Sequence, residues 1–213
     1  MKVSSSKANI LKKIRQALSQ STPIPFPQSE GNHSVFQPSS QELEVEFAEQ
    51  FSKLQGKFIF CMDHNELADQ LNALAAHRNW KKVFCREDKL RGTLKEHRFD
   101  SFTEADLADC DAAITTCELL VARTGSIVLS SAGASGRTVS VYAPVHICIA
   151  YADQLVYDIR DGLQLLKEKY QQHMPSLITF ATGPSRTADI EKTLVVGVHG
   201  PKEVYLFLVD RGS

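Results

Sequence analysis

No two of the five cysteines, Cys61, Cys85, Cys110, Cys117 and Cys148, are separated by only two or three residues. That spacing excludes the usual zinc-ribbon, ferredoxin and thioredoxin patterns. The odd count also prevents complete pairing within one chain, so buried thiols in a reducing compartment are expected. An excess of positive charge is missing too. The 24 Lys and Arg against 25 Asp and Glu leave a net charge of -1. That argues against a broad nucleic-acid surface but not against a local basic pocket. No cationic-then-apolar leader opens the chain, and no apolar run approaches the roughly 20 residues of a membrane span. A soluble cytoplasmic protein is expected. G-x-G-x-x-G, G-x-x-x-x-G-K-[ST] and G-x-S-x-G are absent. A Rossmann dinucleotide, a P-loop nucleotide and a serine-hydrolase elbow are therefore not indicated. No His pair has i, i+4 spacing, and no metal site is expected.

What is present fits one α/β domain with an arm, which suits a length of 213 residues. Residues 6–18 read as an amphipathic helix: Ile10, Leu11, Ile14 and Leu18 share a face, with Lys7, Lys12, Lys13 and Arg15 around it. Pro23, Pro25, Pro27 and Pro38 make 19–40 a linker or extended arm. The helix is thus tethered, and docking to a partner subunit is its favoured role. Residues 1–40 form the arm and 41–213 the domain. Within the domain, helices are expected over 40–55, 66–77 (capped by Asn65) and 158–172, with a short one within 86–98. Apolar strands are expected at 58–61, 83–85, 112–115, 127–129, 145–149, 178–180 and 204–209. Alternation of this kind predicts a sheet covered on both faces. Between 112 and 150 strands dominate, so part of the sheet is expected to be antiparallel or a side ribbon.

Three Gly-, Ser-, Thr- and Pro-rich loops adjoin predicted strands, where ligands gather in open α/β sheets. Residues 130–137 include Gly133, Gly136 and Arg137, glycines that admit an anion to backbone amides and a cation beside them. Residues 182–191 include Ser185, Arg186, Thr187, Asp189 and Glu191; Arg186 can clamp a carboxylate or phosphate, and the acids can orient it or cap a helix. Residues 196–202 place His199 among glycines beside Lys202, where a general acid/base or an anion donor fits. His146, inside an apolar strand, reads as a hydrogen-bonded core residue.

Four stretches also carry a family resemblance: Thr124-Gly125-Ser126-Ile127-Val128-Leu129-Ser130-Ser131, Pro144-Val145-His146, Gly183 through Glu191, and Gly197-Val198-His199-Gly200-Pro201. Over roughly residues 42–210 the chain resembles the lactate-utilisation protein C family, built on the lactate-utilisation (LUD) domain. The resemblance implies a three-layer α/β/α Rossmann-like sandwich similar to the CoA-transferase and ribose-phosphate-isomerase class. It implies a bacterial system oxidising L-lactate to pyruvate, whose partner subunits carry the iron–sulfur clusters. This chain would be the cluster-free component, with no cofactor of its own. Motif match points to Ser185, Arg186, Thr187, Asp189, Glu191 and His199 as ligand contacts, with Thr124, Gly133, Gly136 and Arg137 beside them. His199 is the catalytic candidate.

Two departures stand out. Arg123 occupies a position where family members often carry an acid, and the loop over 131–137 begins Ser-Ala-Gly-Ala rather than Gly-Pro-rich. An alternative function is an independent enzyme or binding protein for a phosphorylated metabolite, a CoA ester or a folate-like ligand, and a third is a scaffold docked through the first helix. The sequence leaves open whether the chain is catalytic and whether it forms a homo-oligomer.

Overall fold

A computed structural model describes residues 5–18, 39, 41–104, 106–190 and 193–210. Two compact units divide the chain, Met1–Pro38 and Ser39–Ser213. The first contributes α1 (Ser5–Leu18), on which Ile10 and Ile14 are exposed. The Pro-rich stretch expected over 19–40 lies, apart from Ser39, outside the described residues.

The second unit begins with α2 (Leu43–Lys53), β1 (Lys57–Cys61), α3 (His64–Arg78), β2 (Val83–Phe84) and α4 (Asp88–Glu96). There follow β3 (Ala112–Thr116), β4 (Leu119–Val121), β5 (Ser126–Ser130), α5 (Val139–Tyr142), β6 (Val145–Tyr151) and β7 (Leu155–Val156). The chain closes with α6 (Ile159–Tyr170), β8 (Ile178–Ala181), β9 (Arg186–Ile190), β10 (Thr193–Val196) and β11 (Glu203–Val209). No helix among the described residues is long and apolar enough to cross a membrane.

Five strands form a parallel sheet in the order β1-β11-β6-β3-β2. Its central strands β6 and β11 are buried almost throughout, as a parallel sheet covered on both faces requires. Side chains alternate between the faces. Ile114, Ile147, Phe207 and Val209 pack with Leu67 and Leu71 of α3 and Leu90 and Leu94 of α4. Cys148, Ala150, Leu206 and Leu208 meet Phe47 and Phe51 of α2 and Leu120 and Ile127 of a second sheet. Burying each of those Phe side chains contributes about 1.5–3 kcal/mol.

The second sheet has the order β7-β4-β5-β8, antiparallel except between β4 and β7. It is the antiparallel region expected between 112 and 150. Its outer face carries α6 through Leu119, Val121, Val128 and Leu166. The α/β architecture is therefore as expected, with the second flank built as a sheet backed by a helix.

Three local expectations change. The cap of α3 is Asp63, not Asn65: the Asp63 carboxylate accepts the Glu66 N–H at 2.8 Å, and the Glu66 side chain returns to accept the Met62 N–H at 2.7 Å. β4, for which no strand is expected from the sequence, follows β3 after only Cys117 and Glu118. The 182–191 segment is not a loop throughout, because β9 pairs with β10 as an antiparallel ribbon.

Candidate functional site

Three hollows adjoin one another beside α5, and the middle one lies between the two sheets. At the first end, about 300 Å³ is enclosed where β2 and β3 finish, among Glu87, Thr116, Glu118, Ser135 and Lys169. Strand ends of this kind are where parallel sheets bind ligands. A middle cleft of about 180 Å³ has Val204 and His146 from the first sheet facing Leu129, Thr179 and Ala181 from the second. At the far end, about 560 Å³ lies among Tyr142, Pro144, Val198, His199 and Lys202. Leu129 and Ser140 line both the first hollow and the middle cleft; Val141, His199 and Gly200 line both the cleft and the far hollow. The three therefore form one groove running past α5.

The first end is a polar network. Glu118 sits in the two-residue link that carries the chain from one sheet to the other. Its carboxylate accepts Tyr170 Oη at 2.6 Å, Lys169 Nζ at 2.6 Å and the Ser130 hydroxyl. Burial alone would raise its pKa, but the hydrogen bonds from Lys169, Ser130 and Tyr170 outweigh burial and hold it below the usual carboxylate value. Glu87, the residue before α4, is fixed from the other wall. It accepts the Thr116 N–H at 3.0 Å, the Thr116 hydroxyl at 2.6 Å and the Ser135 hydroxyl at 2.6 Å. Two oriented carboxylates face one ammonium, so this end favours a donor or a cation.

The floor joins that end to the cleft. His146 pairs through Nε2 with the Thr115 hydroxyl at 2.8 Å, both fully buried, and Thr115 lines the first hollow. Burial pushes the His146 pKa down to about 4, so the ring is neutral at pH 7. The expectation of a hydrogen-bonded core histidine describes this residue.

The far end is built by two segments stitched together. The Ser185 N–H donates to the Pro201 carbonyl at 2.9 Å, and the Gly197 N–H to the Ser185 carbonyl at 2.9 Å. The Lys202 N–H donates to the Pro144 carbonyl at 2.9 Å, which anchors the turn to the start of β6. Gly197 has φ +79°, and a Cβ there would lie 2.2 Å from Lys202 Cγ. Glycine is what lets the turn close over that lysine stem. His199 and Lys202 are exposed, and no carboxylate among the described residues lines this hollow. It therefore favours an anion.

The sequence candidates distribute as follows. Ser185 and His199 line the groove together, and Gly133 and Gly136 line its opposite end. Arg186 lies outside the three linings, its guanidinium donating to the Leu54 carbonyl. Arg137 is exposed and donates to the Ser176 hydroxyl. The Thr124 hydroxyl bonds Ser126 Oγ at 2.7 Å, at the tight turn before β5. Thr187 and Asp189 are strand residues of β9, and Glu191 falls outside the described residues. Arg123 pairs with Asp158, the cap of α6, so its charge has a partner. Sequence reasoning missed Glu87, Glu118, Lys169 and Tyr170. No local pattern singles them out, because the groups that hold Glu118 come from distant parts of the chain.

Among the described residues no three His, Cys, Asp or Glu side chains gather to hold a metal ion. Burial raises the pKa of Cys61 and Cys85 to about 11. Burial, then the neighbouring Cys117 thiol, also raises that of Cys148. These three are protonated, weakly reactive thiols at neutral pH.

Residues 87–209 match the LUD domain family, and every groove residue named above falls in that span. Curated relatives include a "Lactate utilization protein C" of Deinococcus radiodurans, 33% identical over 108 residues, covering 50% of this chain and 50% of the relative. A protein of the same name from Geobacillus thermodenitrificans is 28% identical over 176 residues, covering 81% of this chain and 71% of the relative. Most alignments are shorter: the chain spans about half the length of the first curated relatives it matches. A crystal structure of a DUF162 family protein from Deinococcus radiodurans superposes with a TM-score of 0.58 at 20% identity. It covers 81% of this chain and 99% of that one, which shows a shared fold.

Proposed function

The chain belongs to the LUD domain family, and from that premise we propose that it serves lactate utilisation as an anion-binding subunit without iron–sulfur clusters of its own. In this reading it works beside iron–sulfur partner proteins that oxidise L-lactate to pyruvate. The observation that supports it is the far end of the groove, lined by His199 and Lys202 with no carboxylate among the described residues. A carboxylate there meets an ammonium and an imidazole. The neutral His146 below adds no competing charge. Dispersed cysteines agree with electron transfer being the partners' work.

The same cationic end suits a phosphate, which keeps a phosphorylated metabolite as the second reading. Calorimetric titration of the full chain with L-lactate, pyruvate and inorganic phosphate separates the two. Binding of the carboxylates, lost in Lys202→Ala, is the expected result. Binding of phosphate alone favours the second reading, and carboxylate binding that survives both Lys202→Ala and His199→Ala defeats the site assignment. Co-purification with iron–sulfur proteins tests the partnership.

A further inference from the structure

The groove is longer than a three-carbon acid, and its two ends differ in chemistry. Its floor crosses three adjacent strands, from Thr115 on β3 through His146 on β6 to Val204 on β11, all on the face turned toward the second sheet. Two strand spacings and the two-residue offset along the strands between Thr115 and Val204 make that crossing about 12 Å, or about nine bonds of an extended chain. The middle is apolar: Leu129, Val141, Ala181 and Val204 contribute side chains without a hydrogen-bonding group. One end carries His199 and Lys202 and, among the described residues, no acid. At the other, the charged residues are Glu87, Glu118 and Lys169, an excess of one negative charge.

A ligand that fills this space has an anionic head, an apolar spacer and a terminal hydrogen-bond donor. We propose that the anion held at His199 and Lys202 is the head of such an elongated molecule, whose ammonium or hydroxyl end is read by Glu87 and Glu118. The proposal rests on the anion-binding reading above and extends it to the substrate class. Both carboxylates are already oriented by fixed donors, Ser135 and Thr116 on one and Ser130 and Tyr170 on the other, so they need no rearrangement to accept a further donor. A plain alkyl end would desolvate them without compensation.

The test is calorimetric titration of the full chain with three series of straight-chain carboxylic acids, ending in methyl, hydroxyl or ammonium, with lengths up to about ten carbons. Affinity is expected to rise with length in the hydroxyl or ammonium series and to exceed that of the matching methyl acid by about tenfold, roughly one charge-assisted hydrogen bond. The better of the two polar series identifies the donor. Glu118→Gln should remove that preference while leaving the shortest acids unaffected. Because Glu118 also links the two sheets, Ser140→Phe provides an independent check. Ser140 lines both the first hollow and the cleft, and a ring there should abolish the length dependence alone. Equal affinity across lengths, or a methyl end bound as well as a polar one, overturns the elongated ligand. In that case loss of the short acids in Lys202→Ala still upholds the anion site. Failure of every acid to bind overturns both.

Discussion

Acidification from pH 7 to pH 5 should weaken folding through one buried group, His146. Its ring is 1% exposed, with the Thr115 hydroxyl as its polar contact, and burial lowers its pKa from 6.5 to about 4. A histidine with a depressed folded pKa favours folding fully only above its unfolded pKa. As pH falls below 6.5 the unfolded chain takes up a proton that the folded chain refuses, so stability declines until the folded pKa near 4 is reached. Each pH step in that window costs about 1.4 kcal/mol, giving a loss of about 2 kcal/mol between pH 7 and pH 5. Glu118 and Glu203, whose folded pKa values are depressed, add their own loss only below about pH 4.5, so the two effects separate. Urea unfolding at both pH values measures it, with His146→Asn as the control in which the slope between pH 7 and pH 5 flattens. Equal stability of the wild-type protein at pH 7 and pH 5 would refute the reasoning, as would an unchanged slope in the variant.

Other perturbations follow from packing and capping. Gly125→Ala places a Cβ 2.5 Å from the Phe51 nitrogen and 2.8 Å from the Gln50 carbonyl carbon, at φ +59°. Backbone of α2 cannot yield as a flexible side chain would, so a loss of about 3 kcal/mol is expected in urea unfolding; a loss below about 1 kcal/mol would show that α2 shifts freely. Asp158→Ala removes both the α6 cap and the partner of Arg123, and about 1–2 kcal/mol should disappear from the same measurement. Tyr170→Phe removes one of three donors to Glu118, so the Glu118 pKa, read by carboxyl NMR titration, should rise toward its ordinary value. No change there would mean that Lys169 and Ser130 alone hold the charge.

How much was legible in the sequence depends on where each residue finds its partners. β6 and β11 stand out because a strand buried on both faces must be a continuous apolar run. β4 was invisible because only Cys117 and Glu118 separate it from β3, and no turn residue marks the change of sheet. β9 read as a loop because it is largely polar, Arg-Thr-Ala-Asp-Ile, and pairs in a two-stranded ribbon with β10 rather than entering either larger sheet. His199 drew notice because a histidine among glycines has no packing role, and it lines both the cleft and the far hollow. Glu118 did not, because Ser130, Lys169 and Tyr170 reach it from 12, 51 and 52 residues away. Arg186 carried a strong local signal, yet its nearest acceptor is a carbonyl 132 residues earlier in the chain. Motif density locates a region, whereas the choice of which side chains face the groove is made by the crossing between the two sheets.

Growth on L-lactate as sole carbon source tests the central claim most directly, in a clean deletion strain complemented with the wild-type chain or with the His199→Ala, Lys202→Ala double variant. An anion-binding subunit of lactate utilisation requires that the deletion fail to grow, that the wild-type chain restore growth, and that the folded double variant not do so. Normal growth of the deletion would contradict the assignment to lactate utilisation, and full rescue by the double variant would contradict the site.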